Sequence, residues 1–166
     1  MKTIEINVYK FEELDKQTKE KVIENYRHIN VDDFQWYDWI KDDFNRLGLE
    51  IQEFDLGRRN YVKIYIENFE DTSKSIIEHF GDSVAIKQTA KNYIDEYEKI
   101  LSNFKEDEDI ERELEILDEQ YEKEYSEDIL SYLRANYESD ISDEAVIDTI
   151  EANDYDFTWN GEIFKL

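Results

Sequence analysis

Apolar and polar residues alternate with a period of two in three parts of the chain. These parts are residues 4–10, residues 49–67 with a turn at 57–60, and residues 155–164. Successive side chains of a β-strand point to opposite faces, so this period predicts an N-terminal strand, a central hairpin and a C-terminal hairpin. Asn160-Gly161 in the last part favours the positive backbone torsions of a type I′ turn. We expect the three parts to share one small antiparallel sheet.

Between these parts, apolar residues recur every three or four positions, the spacing that predicts amphipathic helices. Asp15 is a suitable N-cap for a first helix, and Asp32 or Asp33 for a second helix that ends at Gly48. Further stripes predict helices over residues 71–80, 84–104, 107–125 and 126–137, and around 146–150 after the cap residue Ser142. The stripe loses register at Ser126, so we expect a new helix there. Helices 84–104 and 107–125 should form an antiparallel pair.

The predicted fold class is α+β, with residues 1–166 forming a single domain. Helices would cover one face of the sheet, and residues 84–140 would form an acidic helical segment within that domain. The chain of 166 residues is long enough to bury one core. Its 40% hydrophobic and 14% aromatic content predicts a folded protein rather than a disordered acidic tail.

Charge is distributed unevenly along the chain. The formal net charge is -24, from 44 acidic and 20 basic residues, yet residues 1–30 hold six of each. Residues 95–128 hold 16 acidic and only four basic residues, so half of the net charge lies in 34 positions. If this segment folds into two antiparallel helices, its charge density approaches that of duplex DNA. We therefore expect a basic protein as the partner, and neither direct binding of nucleic acid nor binding to an anionic membrane.

Several kinds of chemistry lack the residues that they need. The chain has no cysteine, which excludes disulfides, a thiol nucleophile and cysteine-ligated zinc. It has four glycines and none of the glycine-rich phosphate-binding motifs, so we expect no nucleotide cofactor. No stretch has the apolar length of a signal-peptide core or a membrane span, and the expected location is the cytoplasm of a bacterial host cell.

A carboxylate-based enzyme is the main catalytic alternative. Five aspartates near the second predicted helix would supply enough oxygen ligands for a divalent cation if they converged, namely Asp32, Asp33, Asp38, Asp42 and Asp43. Two carboxylates at a suitable separation would also allow glycoside hydrolysis. His28 and His79 lie near predicted helix ends, where an imidazolium stabilises the helix without any catalytic role. We expect solvated acids here, and no catalytic, cofactor-binding or metal-binding residue.

The predicted helix from residue 107 carries an acidic ladder opposite its apolar stripe. Its members are Glu108, Glu111, Glu115, Asp118, Glu119 and Glu122. Exposed like charges four residues apart destabilise a helix by about 0.2–0.5 kcal/mol per pair, so the ladder is retained against a small cost. We expect it to bind the partner electrostatically. Most aromatic residues of the second helix should pack in the core, but Trp39 is a candidate apolar anchor, because tryptophan is enriched at interface centres.

The two ends of the chain resemble a family of small acidic bacteriophage and prophage proteins. In that family, a strand ending in Tyr-x-Phe-x-Glu-Leu leads to a Lys-Ala/Val-Ile-rich helix and an aromatic, acidic second helix. The matching positions are Tyr9, Phe11, Glu13, Leu14, Lys21, Ile23, Tyr26, Trp36, Tyr37 and Phe44, and the ending EANDYDFTWNGEIF is also similar. EFDLGRRNYVKIYIENFE replaces the Gly- and Ser-rich segment that many members have. The resemblance implies a phage or mobile-element setting and transfers no catalytic residue.

These observations predict a noncatalytic anti-defence inhibitor of the anti-CRISPR type. Such a protein would act as an acidic DNA mimic on the nucleic-acid-binding surface of a host nuclease. The alternative is an acidic antitoxin or regulatory partner that neutralises a basic phage or host protein without DNA mimicry. A metal-dependent carboxylate enzyme is the third hypothesis.

Overall fold

The computed structural model describes residues 6–33, 35–103 and 107–165, with the side chains of residues 107–109 outside the description. The elements are α1 (Lys16–Asn25), α2 (Asp38–Arg46), β1 (Leu49–Asp55), β2 (Tyr61–Ile66), α3 (Phe69–His79), α4 (Ala85–Asn103), α5 (Asp107–Asp140) and α6 (Asp143–Ala152), preceded by a short 3-10 helix, Phe11–Glu13. Helices together with one two-stranded antiparallel sheet confirm the predicted α+β class.

The chain forms two compact units. The terminal unit comprises Met1–Trp36 and Asn136–Leu166, and the central unit comprises Tyr37–Ala135. The boundary between them therefore falls inside α5, and the acidic stretch of residues 95–128 belongs to the central unit.

The central unit is built on the predicted hairpin and four helices. Strands β1 and β2 pair in antiparallel register from Leu49 opposite Ile66 to Asp55 opposite Tyr61, with an irregularity between Ile51 and Glu53. The hairpin follows α2 directly, because the φ of +90° at Gly48 ends the helix. Gly48 also lies against α3, where a Cβ would come within 2.6 Å of the Thr72 hydroxyl, so glycine is required there.

The terminal unit joins both ends of the chain around α1 and α6. Its core consists of Phe11, Leu14, Val22, Val146, Ile150 and Phe157. The predicted caps of α1 and α6 are confirmed, since Asp15 accepts from the Thr18 N–H at 2.9 Å and Ser142 accepts from the Ala145 N–H at 3.2 Å. Each side chain satisfies an N–H that the first turn of a helix leaves without a partner.

The single three-part sheet is wrong for the described residues. The sheet contains β1 and β2 alone, and the chain ends form isolated antiparallel bridges from Phe157 to Tyr9 and to Ile163. Residues 4 and 5 of the predicted first strand lie outside the description. The type I′ turn is also wrong, because Gly161 has φ +84° whereas Asn160 does not have a positive φ. The turn instead closes through a 2.9 Å hydrogen bond from the Gly161 N–H to the carbonyl oxygen of Thr158.

Two helix boundaries differ from the prediction. Helix α2 begins at Asp38, several residues after the expected caps. Asp33 does accept backbone hydrogen bonds, but its carboxylate takes the Gln35 N–H at 3.1 Å and its carbonyl takes the Trp36 N–H at 3.2 Å. Those bonds close a turn rather than a helix.

The second difference is that α5 continues through Ser126 without a break. Its buried residues recur every fourth position, at Leu117, Tyr121, Tyr125, Ile129 and Leu133. An α-helix has 3.6 residues per turn, so this spacing moves the buried face around the helix by about 40° at each step. The apolar stripe loses register because the helix meets different partners along its length, and not because it ends.

Candidate functional site: the acidic face of the α4–α5 hairpin

Helices α4 and α5 form the expected antiparallel pair. The hydroxyl of Thr89, near the start of α4, donates to Asp128 at 2.6 Å, far along α5. Near the other end of α4, Glu96 accepts from the hydroxyl of Tyr121 at 3.1 Å. The rings of Tyr93 and Tyr121 meet edge to face between these points, with centroids 5.3 Å apart. The hairpin is therefore held by aromatic packing and by hydrogen bonds to carboxylates.

Buried tyrosines determine which carboxylates point into this hairpin. The hydroxyl of Tyr93 donates to Asp118 at 2.8 Å, and that of Tyr121 donates to Glu96. Desolvation raises the pKa of each tyrosine and also raises the pKa of Asp118. These acids satisfy buried hydroxyl groups, so their first role is structural.

Tyr125 extends the network to α3. Its side chain is fully buried, and its hydroxyl lies 2.6 Å from the hydroxyl of Ser73, which is buried as well. Ser73 in turn donates to the carbonyl oxygen of Phe69 at 2.6 Å, so the tyrosine is the donor of the pair. In the described part of the chain, no buried side-chain nitrogen or oxygen lacks a hydrogen-bond partner.

Four members of the predicted acidic ladder form an exposed row on the outer side of α5. We call Glu111, Glu115, Glu119 and Glu122 the acidic stripe. Their spacing along the helix axis is about 6, 6 and 4.5 Å. Among the described residues, none of the four forms an ion pair, and Lys123 instead lies 3.9 Å from Glu127. The stripe thus presents four charges that the described fold does not neutralise.

The other predicted site residues are placed differently. The prediction that Asp118 belongs to the outward acidic ladder is wrong, because its side chain is half-buried and accepts a hydrogen bond from Tyr93 on α4. Glu108 belongs to α5, but its side chain lies outside the description. Trp39 is 53% exposed on α2. Helix α2, which carries Trp39, contacts α5 through the rings of Phe44 and Tyr132. Tyr132 lies about 15 Å beyond Glu122 along the axis of α5, so this contact does not bring Trp39 to the stripe.

The folded hairpin allows the expected charge density to be corrected. The four carboxylates of the acidic stripe span about 16.5 Å along the axis of α5, from Glu111 to Glu122, which is one charge per about 5.5 Å. A single DNA strand carries one charge per about 3.4 Å of axis, and a duplex carries twice that density. The described stripe is therefore less densely charged than a single strand or a duplex.

The inward acids were missed because their tyrosine partners are distant in sequence. Periodicity places Asp118 in the acidic ladder, and Glu96 and Asp128 count only as acids of residues 95–128, although Asp128 is half-buried and burial raises its pKa. The available signal was the presence of Tyr93 and Tyr121 in the apolar stripes. A tyrosine buried in a core needs an acceptor for its hydroxyl, and neighbouring acids on the facing helix are the nearest candidates.

The five aspartates around α2 do not converge on a point. In the described part of the chain, no group of three or more His, Cys, Asp or Glu side chains is arranged to hold a metal ion. Asp43 instead lies 2.9 Å from Nε2 of His79, which is in the last turn of α3. His28 packs at 6.5 Å from the ring of Tyr137. Each histidine is thus involved in a contact within the fold.

Comparisons of the chain with protein-family models, curated proteins and solved structures gave no match. Of the helices that the structure describes, none combines the length and apolar character needed to span a membrane.

Proposed function

We propose that the chain is a noncatalytic inhibitor that binds the basic nucleic-acid-binding surface of a host nuclease in place of DNA. The observation that carries this proposal is the acidic stripe, whose carboxylates are exposed and form no ion pair within the described residues. A groove lined with lysine and arginine attracts a row of fixed negative charges as it attracts phosphates.

The rigidity of the hairpin supports this role. The stripe lies on a regular helix that is anchored in the fold by Leu117, Tyr121 and Tyr125, all of them buried. Its carboxylates consequently keep a defined spacing before any partner binds, which lowers the ordering cost of association. Electrostatic attraction would accelerate encounter with the partner, and an exposed aromatic residue such as Trp39 would add apolar contact.

The phage and prophage resemblance supports an anti-defence setting. Within it, the proposed inhibitor would be of the anti-CRISPR type and would act in the cytoplasm of a bacterial host. The resemblance contributes no catalytic residues, and the proposed mechanism uses none. The partner would be a nuclease complex, while the chain itself would contact neither nucleic acid nor membrane.

Charge reversal of the acidic stripe tests the proposal. We expect the combined Glu111→Lys, Glu115→Lys, Glu119→Lys and Glu122→Lys variant to lose protection of phage plating in a bacterium with an active CRISPR nuclease. Because the four side chains are exposed, the variant should keep the circular dichroism spectrum of the wild-type protein. The measurement is plating efficiency with each protein supplied from a plasmid.

The control variant changes net charge equally but at another surface. It carries Glu138→Lys, Glu144→Lys, Asp148→Lys and Glu151→Lys, four exposed positions of the terminal unit. We expect this variant to protect phage like the wild type. Equal protection by both folded variants would refute the stripe mechanism, and equal loss would reduce it to an effect of net charge.

Competition separates DNA mimicry from binding by an antitoxin or regulatory protein. If the stripe occupies a nucleic-acid site, an excess of duplex DNA or guide RNA should displace the chain from the purified nuclease in a concentration-dependent manner. A complex that forms with a basic protein and resists this displacement would favour the alternative. The readout is the amount of chain retained on the immobilised nuclease at a fixed salt concentration.

A further inference from the structure

The terminal unit exposes a tryptophan between two cavities. Trp159 is 77% exposed, more than any other large hydrophobic residue in the described chain. It lines a cavity of about 430 Å³ together with Ile6, Tyr9 and Glu162, among others. It also lines a second cavity of about 310 Å³ with Tyr9, Glu13, Leu14 and Asp15. We call these two adjoining cavities the Trp159 cleft.

The turn that carries Trp159 is fixed on the surface of α1. Gly161 packs so closely that an added Cβ would lie 2.9 Å from a methyl group of Val22. The ammonium group of Lys21 donates to the carbonyl oxygen of Asn160 at 2.9 Å. The Thr158 N–H donates to the carbonyl oxygen of Glu162 at 2.9 Å and closes the turn. Exposure of the indole is therefore a property of an anchored turn.

The cleft combines aromatic rings with carboxylates. Tyr9 and Trp159 line both cavities, and Glu13, Asp15 and Glu162 are the ionisable acids of their walls. None of the lining residues is a lysine, arginine or histidine. An aromatic face attracts a cation through its quadrupole, and nearby carboxylates attract it through charge.

The two acids of the smaller cavity are held in place by the backbone. One oxygen of Glu13 accepts from the Lys10 N–H at 2.7 Å, and Asp15 accepts from the N–H and hydroxyl of Thr18. The hydrogen bonds from Thr18 hold the pKa of Asp15 below its usual value, so this carboxylate is ionised at neutral pH. A carboxylate that already accepts such bonds retains lone pairs for a further donor.

The lysines nearest to this region are engaged elsewhere. Lys19 donates to the carbonyl oxygen of Glu12 at 2.9 Å, and Lys21 donates to that of Asn160. Lys10 lies between Asp154 and Asp156, at 2.9 and 2.8 Å from their carboxylates. Lys16, next to Asp15 in the sequence, lies 3.8 Å from Glu20. Among the described residues, these four lysines therefore have partners outside the cleft, and its carboxylates are open to a cation from another molecule.

We propose that the Trp159 cleft binds an arginine side chain of a partner protein. A planar guanidinium group stacks on an indole and donates in pairs to a carboxylate, which matches the rings and acids of the cleft better than an ammonium group does. This site lies in the terminal unit and is independent of the acidic stripe. It extends binding by the chain beyond the function proposed above.

The test uses an acetylated, amidated Gly-Ser-Arg-Ser-Gly peptide as the probe. We expect it to shift the indole N–H resonance of Trp159 in the ¹⁵N-labelled full chain, leaving the resonances of the other two tryptophans in place. The same peptide with citrulline, which keeps the shape but not the charge, should cause no shift. The lysine peptide should bind several-fold more weakly.

Variants of the cleft separate its two components. Trp159→Ala should weaken peptide binding about tenfold, while Trp159→Phe should retain part of it because an aromatic face remains. The double variant Glu13→Gln and Asp15→Asn removes both charges. Each new side chain keeps an oxygen that can accept from the same backbone N–H, so the fold should be retained while binding weakens to a similar extent. In the tryptophan variants, binding is followed through the backbone amide of Tyr9.

Two matched results would overturn the inference. Equal binding of the arginine and citrulline peptides would remove the role of charge, and unchanged binding by the folded Trp159→Ala variant would remove the role of the ring. The four-lysine variant of the acidic stripe should bind the peptide like the wild type. Failure of the stripe mechanism is thereby distinguishable from failure of the cleft.

Discussion

At the scale of single residues, the central unit depends on tyrosines that combine a large apolar ring with one polar atom. Tyr93, Tyr121 and Tyr125 are almost completely buried, and each hydroxyl has a partner within 3.1 Å. A buried hydroxyl without a partner is costly, so each tyrosine requires a particular acceptor on the facing helix. These pairs select the alignment of the helices more sharply than aliphatic packing does.

Tyr125 provides the test at this scale. Tyr125→Phe removes the hydroxyl that donates to Ser73, and we expect the free energy of unfolding to fall by about 1 kcal/mol. Tyr65→Phe is the control, because Tyr65 is 52% exposed and its loss of a hydroxyl should have little effect. Urea unfolding of both variants gives the comparison. Equal stabilities would contradict a structural role for the Tyr125–Ser73 hydrogen bond.

At the scale of elements, α5 shows how one helix serves several neighbours. Tyr121 contacts α4, Tyr125 contacts Ser73 of α3, and Tyr132 contacts Phe44 of α2 at 5.7 Å between ring centroids. Because these neighbours lie in different directions, the buried face must turn around the helix axis. Ser126 consequently lies within a continuous helix, whereas Ser142 begins α6.

Two serine substitutions separate these roles. Ser142→Ala removes the cap of α6 and should lower the free energy of unfolding by about 1 kcal/mol. Ser126→Ala should be neutral or slightly stabilising, because alanine has the higher propensity in a helix interior. Thermal unfolding followed by circular dichroism measures both. A destabilised Ser126→Ala variant would indicate that Ser126 caps a helix after all.

Apolar spacing, caps and glycine positions in the sequence predicted most helices and the central hairpin. Features that depend on side-chain contacts between distant elements were not predictable from the sequence. Asp15, Ser142 and Gly48 act on backbone within three residues of themselves, or through their own torsions, and their roles were predictable. Asp33 failed as a helix cap because a carboxylate closes a turn by the same hydrogen bond. The inward position of Asp118 depends on Tyr93 of another helix, so helical periodicity alone assigned it to the surface.

At the scale of the whole molecule, acidity affects stability in two opposite directions. Burial raises the pKa of the carboxyl groups of Asp118, Asp128 and Asp140. Hydrogen bonds and lysine partners lower the pKa of the carboxyl groups of Asp15, Glu70 and Asp82. An acid with a raised pKa in the folded state favours folding as it becomes protonated, whereas an acid with a lowered pKa favours folding while it is ionised.

The signs predict a maximum in stability at mildly acidic pH. As pH falls from neutral towards the aspartate pKa of the unfolded chain, about 3.8, an acid with a raised pKa such as Asp118 takes up its proton first in the folded state. The midpoint of thermal unfolding should therefore rise. Below that pH an acid with a lowered pKa such as Asp82 becomes protonated and loses its stabilising contacts, so the midpoint should fall.

Asp118→Asn isolates one contributor to this pH dependence. Asparagine keeps an acceptor for the Tyr93 hydroxyl but cannot titrate, so the rise below neutral pH should become smaller. Calorimetric scans of the wild type and the variant between pH 7 and pH 3 provide the measurement. A wild-type midpoint that falls steadily over the whole range would contradict the assigned pKa directions.

The composition of the terminal unit has a consequence for biosynthesis. Phe11, near the beginning of the chain, packs on Phe157, near its end, with ring centroids 6.4 Å apart. The central unit is one uninterrupted stretch and acquires all of its own residues while translation is still in progress. The apolar side of α1 must instead wait until α6 and Phe157 have left the ribosome. During that interval the nascent chain carries an uncovered hydrophobic surface, so a holding chaperone would find its substrate at α1.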